Sequence, residues 1–113
     1  MAEECLFCKI VRREIPATLV AESDTCIAFR DIGPKAPVHV LVIPRAHVRS
    51  LNEVSDFGLL GDMAHLAVEV ARAEGIAEAG YRVVANTNGD GGQSVFHLHL
   101  HVLGGRRLTW PPG

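Results

Sequence analysis

Three histidines alternate with apolar residues in the run Val95-Phe96-His97-Leu98-His99-Leu100-His101-Val102-Leu103. An imidazole titrates at about pH 6.5, so near neutrality it can serve as nucleophile, proton donor or metal ligand. Side chains on a strand point to opposite faces with period two. An extended run therefore gathers His97, His99 and His101 on one face. It sends Phe96, Leu98, Leu100 and Val102 to the other, where a core can bury them. A helix would bring only His97 and His101 together and point His99 away from both. The run is about nine residues long, with Gly-Asp-Gly-Gly before it and Gly-Gly after it, and this predicts a strand.

Two chemistries suit such a face. The histidines can hold a catalytic metal, or they can act directly as nucleophile and acid–base groups. The preceding Gly91-Gly92-Gln93-Ser94 favours the second, because glycines let backbone N–H groups converge on an anion and Gln93 and Ser94 add side-chain hydrogen bonds. This is not a Walker loop, since Gly-Lys-Ser/Thr is absent. Coupled to three histidines on one face, it points to reaction at phosphorus. No carboxylate or carboxamide follows His101 at a metallohydrolase spacing, which disfavours the metal reading.

Cys5-Leu6-Phe7-Cys8 has the spacing of half a structural zinc site. Two small apolar residues one helical turn apart would read the same way, and both alternatives stand at this level. Cys26 reads as core. His39, inside the apolar run Val38–Ile43, needs a polar partner if buried. His47 reads as a solvated loop residue and His65 as a surface or interface residue.

The elements that must position these groups are short. A helix over Lys9–Arg13 ends before Pro16. Strands are expected near Thr18–Glu22, Thr25–Arg30, Val38–Ile43 (stopped by Pro44) and Tyr81–Asn86, with a proline-stiffened loop at Asp31–Pro37. From Ser55 to Glu74, Leu60, Met63, Ala64, Ala67, Val70 and Ala71 form one helical stripe, with Ser55 as N-cap and Gly75 as the stop. The result is a mostly antiparallel α+β fold.

The 113 residues suffice for one domain with an ordinary core, and the 48% apolar content excludes a disordered chain. No apolar run reaches the roughly 18–20 residues that span a bilayer. The acidic start Met1-Ala2-Glu3-Glu4 lacks a signal-peptide layout, so a cytoplasmic location is expected. A net charge of −2 argues against a long nucleic acid as partner. Three cysteines do not suggest a disulfide framework.

From Gln93 to Val102 the sequence resembles the His-φ-His-φ-His-φ-φ signature of the histidine triad superfamily. Ala28–Ile32, Pro37–Pro44 and the Asn86–Ser94 loop match in order and spacing. The ending Leu103-Gly104-Gly105-Arg106 with Trp110-Pro111-Pro112-Gly113 resembles the Hint branch, the histidine triad nucleotide-binding proteins. The resemblance implies one domain over residues 1–113 with a five-stranded sheet, and a homodimer that joins two such sheets into ten strands. The tail 104–113 would reach the partner. It further implies hydrolysis of purine nucleoside phosphoramidates. His99 would attack phosphorus and form a nucleotidyl-histidine, and His101, His39, Gly92, Gln93 and Ser94 would hold the phosphate. Ser94 would pass a proton to the leaving amine, and Asn86 would line the pocket. Asp31 would grip the ribose. Leu6, Phe7, Ile10, Ile15, Phe29, Ile32 and Leu41 would wall the base, and Trp110 would shape leaving-group preference. Cys5 and Cys8 resemble those of bacterial relatives that hold a structural zinc, whose other ligands match His47 and His97. Other readings are a nucleotide-binding regulatory or scaffold module, a metallohydrolase and a dinucleoside polyphosphate hydrolase.

Overall fold

The computed structural model describes residues 5–113; the acidic start Met1–Glu4 lies outside the described residues. In chain order the elements are α1 (Leu6–Val11), β1 (Leu19–Glu22), β2 (Cys26–Arg30), β3 (Val38–Pro44), a 3₁₀ turn at Leu51–Glu53, α2 (Phe57–Ala73), β4 (Tyr81–Val84) and β5 (Leu100–Gly104). The strands form one antiparallel sheet in the order β1-β2-β3-β5-β4. The expected α+β architecture is the one observed. Among the described residues no helix is long and apolar enough to cross a membrane.

β3 is buried along nearly its whole length because both of its faces are covered. Val40 and Val42, with Ala28, Leu100 and Val102, pack against Met63, Leu66, Ala67, Val70 and Ala71 of α2. Leu41 and Ile43 join Ile27, Phe29 and Phe7 of α1 on the opposite face. The predicted helical stripe is corrected at one position, since Ala64 is exposed and Leu66 takes the inward place. The N-cap also moves, from Ser55 to Asp56, whose carboxylate accepts the Gly58 N–H at 2.9 Å. Gly75, at φ 74°, ends α2 as expected, and the Ile76 N–H returns to the Ala71 carbonyl at 3.0 Å.

The histidine run departs furthest from expectation. Only its second half, from Leu100, pairs as a strand. β3 and β5 run in the register Val42↔Leu100, so the next matching pair would place Leu98 against Pro44. Proline has no N–H to give a ladder. The Leu98 N–H turns instead to the Val48 carbonyl, at 2.6 Å. The segment before Leu100 bends at Val95–His97 and leaves the sheet, and Phe96 ends 37% exposed beneath the Arg49 guanidinium rather than in the core. β4 likewise stops at Val84, short of Asn86.

Candidate active site

His39 and Leu41 of β3, and His101 of β5, share the face on which α1 lies. His97 and His99 continue that face, 0% and 6% exposed, while Leu98 and Leu100 go into the α2 core. The sequence alternation thus survives even where the ladder does not. Phe7 meets both buried rings edge to face, with centroids 5.1 Å from His99 and 5.9 Å from His97.

What each ring nitrogen touches settles where the protons are. The Lys35 backbone N–H donates to His39 Nδ1 at 3.0 Å, so His39 carries its proton on Nε2. That Nε2–H points to His101 Nδ1 at 2.9 Å, with an Asp31 carboxylate oxygen 3.4 Å away. His101 Nδ1 therefore accepts, and the His101 proton is on Nε2, across the ring. His99 Nδ1 donates to the His97 carbonyl at 2.7 Å. Its Nε2 is left with a lone pair. A nucleophilic nitrogen and an N–H donor thus stand side by side on rings 5.0 Å apart.

These tautomers require neutral rings. Burial pushes His101 down to about 4, with the neighbouring His99 and His39 adding to the shift and Asp31 opposing it. Burial also lowers His99 and His39, against the pull of Asp31 on each and of the His97 carbonyl on His99. The unfolded chain takes up a His101 proton near 6.5 that the folded chain refuses until about 4. Stability should therefore fall as pH drops through that window. Denaturant titrations at several pH values should show a shallower slope for His101→Gln than for wild type.

A cleft of about 330 Å³ opens over His99 and His101. Leu6, Phe7, Ile10, Ile15, Phe29, Ile32 and Leu41 form its apolar wall, and Asp31 and Ser94 supply its polar edge. One Asp31 oxygen already accepts the Gly33 N–H at 2.7 Å. His39 does not line the cleft and acts on it through His101. Asn86 lies two residues past Val84, the β4 partner of His101, outside the lining. Trp110 is 78% exposed and does not reach this chain's own cleft.

The loop before the histidines is built differently from the expected anion cradle. Gln93 is buried, and its Oε1 accepts the Asn88 N–H at 2.8 Å. Its Nε2 donates to the carbonyls of Arg49 (2.9 Å) and Val95 (3.1 Å). Both amide hydrogens are spent, so this side chain staples the loop and does not face a phosphate. The Gly92 and Gln93 N–H groups are also used, by the Gly89 and Asn88 carbonyls at 3.0 Å each. Among the described residues the N–H groups of Ser94 and Val95, which line the cleft, have no protein acceptor and are placed to donate to an anion. Gln93→Ala should cost about 1–3 kcal/mol by stranding three backbone groups, which thermal unfolding would register. Gly91→Ala should open the loop, because a Cβ there would lie 2.4 Å from the Thr87 carbonyl oxygen.

Cys5, Cys8, His47 and His97 place their ligating atoms within 4.8 Å of one another. The sulfur–nitrogen separations are 3.4 Å for Cys5 with His97, 3.5 Å for Cys8 with His97 and 3.3 Å for Cys8 with His47. Tetrahedral zinc, with bonds of about 2.3 Å to sulfur and 2.0–2.1 Å to nitrogen, sets sulfur and nitrogen about 3.5 Å apart. The His97 Nε2–H donates to the Pro44 carbonyl at 2.9 Å, which turns its Nδ1 lone pair toward the thiols. The Cys8 N–H points to Cys5 Sγ at 3.4 Å. Burial and the adjacent Cys5 raise Cys8 to about 11, so it becomes a thiolate at neutral pH only beside a cation. The cluster is compatible with zinc. Sequence reasoning missed the groups that orient these histidines, namely the Lys35 N–H and the Pro44 and His97 carbonyls, since any residue type carries them; only Pro44 signals itself, as a ladder breaker.

Three alternating histidines on one face, two of which, His99 and His101, lie on the floor of an apolar cleft, define the histidine triad class. The chain belongs to the HIT family: the HIT domain model matches residues 12–108. A purine nucleoside phosphoramidase of Escherichia coli strain K12 is 52% identical, over 96% of this chain and 92% of its own. Solved structures are similar as well, two of them closely. A HIT family hydrolase from Legionella pneumophila has 54% identity and a TM-score of 0.94, covering 97% of this chain and 100% of its own. Another from Clostridium thermocellum has 47% identity and a TM-score of 0.92, covering 95% of each.

Proposed function

We propose that the chain is a purine nucleoside phosphoramidase, hydrolysing the P–N bond of adenosine or guanosine 5′-phosphoramidates. The observation that carries this reading is the tautomer of His99, whose Nδ1–H is held by the His97 carbonyl while Nε2 keeps its lone pair beside the His101 donor. The curated E. coli relative supports the same substrate class.

His99 Nε2 attacks the α-phosphorus as the P–N bond breaks. The leaving amine departs with a proton passed by the Ser94 hydroxyl, which regains one from solvent. Water then attacks the nucleotidyl-histidine, releasing the nucleoside monophosphate, returning a proton to solvent and restoring the lone pair. The His101 Nε2–H and the Ser94 and Val95 N–H groups meet the charge that develops on phosphate oxygen. Asp31 receives the ribose hydroxyls and the apolar wall takes the purine. His39 is a positioning residue that fixes the His101 proton, and Gln93 positions the loop.

Zinc at Cys5, Cys8, His47 and His97 would be structural, since the protein fills all four positions. It would hold its ligands and take no part in proton transfer. The assembly is a homodimer in which β4, a sheet edge with Val83 45% exposed, pairs with its counterpart, and the exposed tail carries Trp110 to the partner's cleft. Trp110→Ala should then shift leaving-group preference more than folding, and an identical preference across an amine series would count against the tail reaching the site. The deciding experiment is turnover of adenosine 5′-phosphoramidate against diadenosine polyphosphates by metal-stripped protein. Preference for the phosphoramidate is expected. Preference for the diadenosine compounds, or binding with no turnover of either, would overturn the reading.

A further inference from the structure

A second chamber, of about 390 Å³, lies beyond the cleft and shares Leu6, Ser94 and Val95 with it. The common wall contains the residue that, on the reading above, hands a proton to the departing amine. A group leaving phosphorus past Ser94 would face this chamber. Of the described residues lining it, Arg49 alone carries a permanent charge. Its guanidinium is stacked 4.3 Å from the centroid of the Phe96 ring, and among the described residues no carboxylate forms a salt bridge with it. The stacking face steadies the plane and leaves its edge for an anion, an arrangement suited to bidentate carboxylate binding. The backbone beneath is also fixed. The Arg49 carbonyl takes a hydrogen bond from Gln93, the residue before Ser94, and the Val48 carbonyl takes the Leu98 N–H. The departure of Phe96 from the core thus acquires a purpose, because it supplies the platform for the cation.

We propose that the Arg49–Phe96 pair is a leaving-group subsite that selects amines bearing a carboxylate, such as the α-amino group of an amino acid. This inference rests on the phosphoramidase reading and is separable from it. The test compares kcat/KM for adenosine 5′-phosphoramidates of phenylalanine and of phenylalanine amide, which differ in the charge at the carboxyl position. The parent adenosine 5′-phosphoramidate, whose ammonia is too small to use the chamber, reports on the underlying chemistry in wild type. The carboxylate substrate should be favoured by wild type. The carboxylate-to-amide ratio should fall about fivefold in Arg49→Gln, the worth of a partly exposed ion pair, and further in Arg49→Glu. A ratio at or below one in wild type, or one that is the same in both variants, overturns the subsite while the parent compound is still turned over. Failure of wild type on the parent compound removes the phosphoramidase reading itself.

Discussion

His99→Ala should lose turnover of adenosine 5′-phosphoramidate by about 10⁴-fold or more while the sheet stays intact. The size of the effect follows from the proton positions. His101 cannot substitute as nucleophile, because its Nδ1 faces His39 and its Nε2 carries the proton. His97 cannot substitute either, since its Nε2–H is committed to the Pro44 carbonyl and its Nδ1 faces the thiols. One nitrogen among six holds an available lone pair over the cleft. Truncation also removes a buried ring from contact with Phe7, so some stability will be lost with it. His99→Gln, which keeps much of the volume and an N–H for the His97 carbonyl, separates the two effects: it should fold nearly as well as wild type and be equally inactive. Wild type quenched during turnover should carry an acid-labile nucleotide that both variants lack. Substantial turnover by His99→Gln would sink the covalent mechanism.

The side of the histidine run was legible from its alternation because burial enforces period two whether or not a ladder forms. Its length was not legible. Where pairing stops depends on Pro44 lying opposite Leu98, a register fact that appears only once β3 and β5 have met. Phe96 was misplaced for the same reason. Adjacent cap formers, Ser55 and Asp56, differ in sequence by nothing that assigns the turn, and the structure chose the second. Gln93 shows a deeper ambiguity. A carboxamide next to glycines looks the same whether it faces phosphate or ties a loop, and three hydrogen bonds to its own chain decide for the loop. The apolar wall of the cleft was within reach only through family resemblance, since Leu6 and Leu41 come from separate elements. Cys5 and Cys8 announced half of a metal site. The other half was within reach only through the family resemblance, because His47 and His97 lie 39 and 89 residues from Cys8 and each has an ordinary alternative in sequence.

That distance in sequence is why loss of the metal should be the largest stability effect. A zinc ion at this cluster would tie three segments together: the start of α1, the loop after β3 and the bent stretch before β5. Without it, the Cys8 thiol and the His97 Nδ1 are buried with only one another and the neighbouring ligands as polar side-chain partners. An ion bound a thousandfold above its Kd adds about 4 kcal/mol to the folded state. For a domain of this size that corresponds to a Tm lower on the order of 15–20 °C after stripping. Cys8→Ser should reproduce the loss and abolish metal retention, measured as zinc per chain. Activity tells a different story. Phe7 of α1 packs on His99, so stripping should loosen the cleft and raise KM, yet turnover at low temperature should persist. The cluster meets the proton arrangement of His39, His99 and His101 at one point, the His97 backbone carbonyl, which orients His99 and moves no proton. An unchanged Tm on stripping would mean the four ligands do not hold an ion. A folded, stripped protein with no turnover, restored by zinc alone, would place the metal in the chemistry and remove His99 from the role assigned to it.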